Sequence, residues 1–289
     1  MKKLLGFIIL IFLAGCAGQA ALWFPVTPMP STDFIGDLNT PNDIPAGEPD
    51  EMPADEPDKP FEIPESGHHT TEMDMVMDYL DVARPPMIAL TFDDGPAGQK
   101  TERILDLLEE HGGRATFFVL GYRVERHRDT IVRAAEMGNE IANHSWSHPR
   151  LPQLDADEIA EEIRRTSSAI EDVTGISPPI MRPPFGRTSY VVRNVAEELG
   201  YVMVNWTVDT LDWQHRDADR IYNIIMQEAY DGAIILMHDI HSSTIEAMER
   251  VIPRLVEEGY ELVTVSELME HFFEGLTPGN VYGKLYEVD

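Results

Sequence analysis

From Met87 onward the chain alternates between short apolar runs and longer stretches in which apolar residues recur every three or four positions. MIALTF (87–92), ATFFVL (115–120), EIANH (140–144), VMVNWTV (202–208), AIILMH (233–238) and ELVTV (261–265) have the length and composition of buried strands. Helical periodicity marks TERILDLLEEH, DTIVRAAEMG, ADEIAEEIRRTSSAIEDVTG, RIYNIIMQEAY and TIEAMERVIPRLVEEG between them. Asp155 followed three residues later by Glu158 is a capping-box start, and Gly138, Gly175 and Gly259 stand where helices stop. Strand and helix in alternation predict an α/β fold in which helices cover a parallel sheet, either a barrel or an open doubly wound sheet. The chain shows no internal repeat.

The 289 residues leave room for one large domain or two smaller ones, and a hydrophobic content of 43% suffices for a sizeable core. The net charge of −29 argues against nucleic acid or an anionic membrane surface as partner, since neither offers cations to the excess carboxylates. Lys2 and Lys3 followed by an apolar run from Leu4 to Ala14 have the build of an export signal, too short to span a bilayer. Cys16 is the only cysteine and ends Leu13-Ala14-Gly15-Cys16, which resembles a bacterial lipoprotein signal cleaved before a cysteine that carries lipid. Residues 1–16 are therefore expected to be a signal peptide ending at that cysteine. A lipid on Cys16 would anchor the exported chain to the outer face of the cytoplasmic membrane.

Residues 17–66 contain ten prolines, eleven acidic residues and one basic residue, Lys59. Such a stretch cannot bury enough apolar surface to fold, so a linker is expected across 17–84. Fifty extended residues reach at most ~150 Å. Removing the +2 of residues 1–16 and the −10 of residues 17–66 from the chain's −29 leaves −21 for residues 67–289, an acidic domain suited to an uncharged substrate. The folded part is expected at 85–272, followed by a tail, 273–289.

Working residues of parallel α/β folds gather at the C-terminal strand ends. There the chain places Asp93 and Asp94 (TFDDGP), His144 and His148 (NHSWSH), Asp209, Asp212 and Trp213 (VDTLDW), and His238 (LMH), with Arg182 in the loop MRPPFG. Neighbouring carboxylates repel unless a cation or shared proton relieves them, although Asp-Gly-Pro alone is ordinary turn chemistry. Two imidazoles four residues apart, with Asp94, would make a three-ligand site for a divalent ion. Position 145 is serine, which disfavours the helical zinc-protease motif with its glutamate base. Asp93 is then left to act as a base on water, with Arg182 keeping it ionised. His238 can act as an acid, its imidazole held by Asp212.

TFDDGP, HSWSH, RPPFG, DTLDW and LMH, in this order across about residues 85–270, resemble the five motifs of the polysaccharide deacetylases (carbohydrate esterase family 4, NodB homology). The resemblance implies a distorted (β/α) barrel of about seven parallel strands. It implies Asp93 as base, Arg182 as its support, His238 as acid assisted by Asp212, and Asp94, His144 and His148 as metal ligands. Trp213 and Leu236 would wall the acetyl pocket, with Asp209 also on the substrate side. Phe185 stands where many relatives have tyrosine, and its family role is a backbone N–H directed at the oxyanion. One divalent ion is expected, zinc first, with cobalt, manganese and nickel as alternatives.

The segment from His238 to Leu268 further resembles bacterial peptidoglycan N-acetylglucosamine deacetylases. The expectation is a tethered, monomeric catalytic domain that deacetylates amino sugars of the cell wall. Chitooligosaccharide, poly-N-acetylglucosamine, N-acetylmuramic acid and xylan are alternative substrates. A catalytically silent wall-binding lipoprotein and a structural surface protein are the alternatives of another class. Phe117, Phe118 and Trp206 read as core, and His241 as at most a loop contact with substrate.

Overall fold

The computed structural model describes residues 84–273, 275–283 and 286–287. Cys16, His68, His69, the expected signal and residues 17–83 of the expected linker lie outside the described residues, whereas Arg84, the last residue of that linker, pairs with Asp231. The chain divides into Met1–His68 and His69–Asp289, and every described residue belongs to the second unit. No helix among the described residues is long and apolar enough to cross a membrane.

Among the described residues, nine strands form one parallel sheet. They are β1 (Met87–Asp93), β2 (Thr116–Val119), β3 (Glu140–Asn143), β4 (Ile180–Met181), β6 (Val202–Val204), β7 (Val208–Asp209), β8 (Ala233–His238), β9 (Glu261–Leu262) and β10 (Val281–Tyr282). Their order is β10-β6-β4-β3-β2-β1-β8-β7, with β9 also on β1, and the sheet curls into a distorted (β/α) barrel. Two-residue strands account for the number beyond seven. β10 extends the sheet beside β6, so part of 273–289 is built into it. A separate pair joins β5 (Arg187–Thr188) to β11 (Tyr286–Glu287).

The helices are α1 (Gln99–His111), α2 (Gly121–Val124), α3 (Arg128–Glu136), α4 (Ala156–Thr174), α5 (Tyr190–Glu198), α6 (Asp212–His215), α7 (Ala218–Glu228), α8 (Ser242–Glu257) and α9 (Val265–Phe272). The expected capping box starts α4: Asp155 accepts from the Glu158 N–H at 2.9 Å, and Glu158 accepts from the Asp155 N–H at 3.1 Å. Two features differ from the periodicity. VMVNWTV is two strands, because the carbonyls of Val204 and Asn205 accept from the Arg182 guanidinium. ELVTV stops early, because Thr264 and Glu267 form a second capping box that opens α9.

The period of two in β1 and β8 sorts their side chains between two cores. Ile88, Leu90 and Phe92 of β1, with Ala233, Ile235 and Met237 of β8, face the outer helices and meet Ile104, Leu108, Ile221, Met248 and Ile252. Ala89 of β1 and Ile234 and Leu236 of β8 face the barrel interior with Phe118, Ala142, Val204 and Trp206. The same alternation carries Thr91, Asp93 and His238 to the interior side. Parallel pairing then sets Asp93 in register with His238 and Thr91 with Leu236.

Candidate active site

The turn after β1 answers why two carboxylates adjoin. Successive strand residues point to opposite faces, but Asp94 has φ of 70°, a left-handed conformation that aspartate tolerates better than most residues. Both carboxylates therefore reach one place: His144 Nε2 lies 3.6 Å from Asp93 Oδ2 and 3.6 Å from Asp94 Oδ1. His148 Nε2 lies 3.4 Å from the same Asp94 oxygen.

The two histidines converge on an irregular loop. The Asn143 side chain donates to the Ile163 carbonyl and to Ser167 Oγ, both at 2.8 Å, and accepts from the Ser145 N–H at 2.8 Å. Ser145 Oγ accepts from the His148 N–H at 3.1 Å. Ser145 and His148 are both left-handed, with φ of 67° and 61°. With Asp94, Phe185 (φ 61°) and Leu211 (φ 54°), these strained residues all flank one cleft, and strain of this kind persists only where the surroundings over-determine it. His144 Nδ1 lies 2.8 Å from the Arg182 carbonyl, which directs Nε2 toward Asp94. Burial pulls the His144 pKa down to about 3, so the ring is neutral and its lone pair is free.

The donor set fits a divalent cation. One atom from each of Asp94, His144 and His148 lies within 4.8 Å of the others. Asp94 Oδ1 is buried and accepts no hydrogen bond among the described residues, an unusual state for a carboxylate oxygen. Asp94 Oδ1 stands 3.6 Å from His144 Nε2 and 3.4 Å from His148 Nε2, spacings that ligands of one divalent ion can share.

Arg182 is fully buried at the back of Asp93. It donates to Asp93 Oδ1 at 2.7 Å, to Thr91 Oγ1 at 2.8 Å, and to the carbonyls of Val204 and Asn205 at 2.9 Å each. Its guanidinium lies 4.0 Å from the Phe118 ring centroid. Burial pushes the Asp93 carboxyl above its ordinary range, and Arg182 pulls the other way. A buried carboxylate raised in this manner is a stronger base than a solvated one.

Across the register from Asp93, His238 Nδ1 lies 2.8 Å from Asp212 Oδ1. The other Asp212 oxygen accepts from the His238 N–H at 2.8 Å and from Thr244 Oγ1 at 2.7 Å. Burial opposes protonation of His238, but the Asp212 hydrogen bond and the charges of Asp212, Asp93 and Asp94 overcome it and lift the pKa to about 9. Asp212 is held below its usual range: burial would raise it, and the His238 and Thr244 contacts prevail.

A cleft of about 450 Å³ joins these parts, lined by Asp93, Asp94, His144, His148, Phe185, Trp206, Asp209, Trp213, Leu236 and His238. All the residues named at the strand ends are brought together, with Arg182 and Asp212 behind the wall. Trp206 is buried, as expected of core, yet also lines this cleft. His241 is outside the lining: it packs behind His238, ring centroids 5.7 Å apart, with Nδ1 against Arg216 Nη1.

Asp239, Arg150 and Arg187 also stand at the site and are not among the residues expected there. Asp239 is fully buried beside Gly95, where any Cβ would lie 2.3 Å from its carboxylate, and burial lifts its pKa to about 7. Its position directly after His238 was the available signal. Arg150 and Arg187 also line the cleft, each two residues beyond a site residue, His148 and Phe185 respectively.

The family profile described as Polysaccharide deacetylase matches residues 81–204. The chain is 42% identical over 181 residues to the peptidoglycan-N-acetylglucosamine deacetylase PgdA of Listeria monocytogenes, covering 63% of this chain and 38% of that protein. It is 42% identical over 184 residues to the peptidoglycan-N-acetylmuramic acid deacetylase PdaC of Bacillus subtilis, covering 64% and 39%. The chain thus spans well under half the length of these two curated relatives. A solved structure, T48 deacetylase with substrate, superposes with a TM-score of 0.64 at 40% identity, covering 68% of this chain and 96% of that one. This chain belongs to the polysaccharide deacetylase family. Within a polysaccharide deacetylase fold, the cleft at the C-terminal strand ends is the candidate active site, and Asp94, His144 and His148 are its candidate metal site.

Proposed function

We propose that the chain is a metal-dependent N-deacetylase of cell-wall amino sugars, acting on N-acetylglucosamine of peptidoglycan and releasing acetate. The observation that carries this reading is the convergence of three groups in one cleft. These are the Asp94, His144 and His148 donors, the buried Asp93–Arg182 pair, and the Asp212–His238 pair in register with Asp93. Its support in the relatives is two peptidoglycan deacetylases, each matched over less than half its length.

Asp94, His144 and His148 would hold the ion, which when bound polarises the acetamide carbonyl and acidifies water. Asp93 takes the proton of the attacking water, with Arg182 fixing the carboxylate and balancing its charge. The water oxygen bonds to the carbonyl carbon, and the Phe185 backbone N–H is the expected donor to the oxygen that gains charge. His238, protonated near neutral pH, gives its proton to the sugar nitrogen as the C–N bond breaks. The products are acetate and a free amine. Trp213 and Leu236 wall the space for the acetyl methyl. Zinc is the first choice of ion, and cobalt, manganese and nickel suit the same nitrogen and oxygen donors.

N-acetylmuramic acid of the same polymer is the second reading, favoured by the equal identity to PdaC. Export, a lipid on Cys16, attachment to the outer face of the membrane and a monomeric catalytic domain complete the proposal. Export and the lipid anchor rest on the LAGC motif and the acidic, proline-rich segment that follows. The test is acetate release from purified peptidoglycan by the full chain, with and without chelator, beside Asp93→Asn. Release that needs both the metal and Asp93 is expected. Release from chitooligosaccharide or xylan alone would overturn the substrate, and metal binding without release from any glycan would overturn the enzyme.

A further inference from the structure

Several arginines elsewhere on this acidic domain are engaged by carboxylates, Arg84 by Asp231, Arg103 by Glu249, Arg250 by Asp219, and Arg133 by Glu102, Asp106 and Glu109, and none of these lines the cleft. Arg150 and Arg187 are different. Both are exposed, both line the cleft, and neither pairs with a carboxylate among the described residues. They stand at one edge. The Arg150 guanidinium lies 5.3 Å from the Phe185 ring centroid, His148 packs on the same ring at 4.5 Å, and Arg187 follows Phe185 by two residues on β5. Thr188, next to Arg187, is fully buried, so the short strand β5 turns one side chain inward and leaves the arginine on the cleft side.

A neutral hexosamine polymer has no group that matches two guanidinium forks, whereas a carboxylate accepts a pair of parallel N–H donors. We propose that Arg150 and Arg187 form a carboxylate-recognition edge of the cleft, which selects an N-acetylhexosamine polymer carrying carboxylates over a neutral one. The inference deepens the reading of the cleft as a deacetylase site and rests on it. The carboxylate has two sources in such a polymer, the lactyl group on the neighbouring sugar and the acidic residues of an attached peptide.

Binding separates recognition from turnover. The full chain carrying Asp93→Asn is titrated by tryptophan fluorescence, which Trp206 and Trp213 in the cleft make sensitive to an occupant. Three probes are used: glycan strands stripped of peptide, uncross-linked strands that retain it, and neutral chitohexaose. Adding Arg150→Gln and Arg187→Gln together is expected to weaken binding of carboxylate-bearing strands about 10-fold and that of chitohexaose less than 2-fold, with Arg→Lys restoring part of the loss. A loss confined to stripped strands assigns the lactyl carboxylate, and one confined to peptide-bearing strands assigns the peptide. Equal losses on chitohexaose, or no loss on either anionic probe, would overturn the proposal, as would a parent protein that binds no strand. Acetate release by the wild-type chain reports separately on the deacetylase reading.

Discussion

Replacing Asp212 by asparagine keeps the side chain's size and removes the charge that holds His238 protonated. With Asp212 present, the His238 pKa is about 9. Without it, burial still lowers the value and only the charges of Asp93 and Asp94 still raise it, so it returns toward the ordinary ~6.5. A shift of roughly 2.5 units corresponds to about 3 kcal/mol of lost preference for the imidazolium. At pH 8 the protonated fraction drops from about 0.9 to about 0.03, whereas at pH 6 it stays above roughly 0.7. An acid that must be protonated therefore loses ~30-fold in rate at pH 8 and little from this cause at pH 6. Asparagine also puts an amide NH₂ in place of one Asp212 oxygen, facing either the His238 N–H and the Thr244 hydroxyl or the Trp213 N–H, which costs about 1–3 kcal/mol of stability. The assay is acetate release across pH 5.5–9.5 at a temperature where both proteins are folded, read as the ratio of wild-type to variant rate. A ratio that grows steeply from pH 6 to 8 is expected. A constant ratio would show that Asp212 serves only to place the ring, and would refute the protonation argument. The sign for stability is the same: the folded pKa exceeds the unfolded one, so the contribution is complete below about pH 6.5 and fades as pH rises through about 9.

Three further outcomes follow from the geometry. Atomic absorption of the full chain should find one divalent ion, lost on Asp94→Ala or His144→Gln; full metal content in both variants would remove these residues from the site. Arg182→Met should destabilise the fold by about 3–5 kcal/mol in urea, because it strands Asp93 as an unpaired buried carboxylate, and Asp93→Asn in the same chain should recover part of that loss. Asp239, with its pKa raised to about 7, binds protons more tightly folded than unfolded, so its effect on stability worsens between pH 4 and 7. The melting temperature of Asp239→Asn relative to wild type should therefore move upward from pH 5 to pH 8, and a flat difference would count against burial as the cause.

Legibility along the chain followed the length of each element. β1 and β8 are six or seven residues long with five apolar residues each and were plain, as was α4 with its capping box. Two-residue strands such as β4, β7 and β10 carry too few positions for a period of two to register. α5 and α9 are not among the expected helices, although Thr264 and Glu267 mark the start of α9. The apolar run before it had absorbed them. In the site, Asp93, Asp94, His144, His148, Arg182, Asp212 and His238 were each legible as chemistry-bearing residues. Arg150 and Arg187 were not, since an exposed arginine in a loop or a two-residue strand has no local signature.

The order of residues by itself determined the faces. Alternation in MIALTFD and AIILMH sends Asp93 and His238 to the interior side of their strands, because side-chain direction in a strand depends only on adjacent residues. It likewise settled that Asp94 precedes a turn. Only the tertiary structure decided that these groups meet. The Arg182–Asp93 contact joins residues 89 positions apart, and the parallel register of β1 and β8 brings Asp93 level with His238. The left-handed turns at Asp94 and His148 are held by the packing around them, and the shifted pKa values of Asp93, His144 and His238 come from burial and from neighbours on other strands. Distance and desolvation are properties of the folded chain, and no local pattern encodes them.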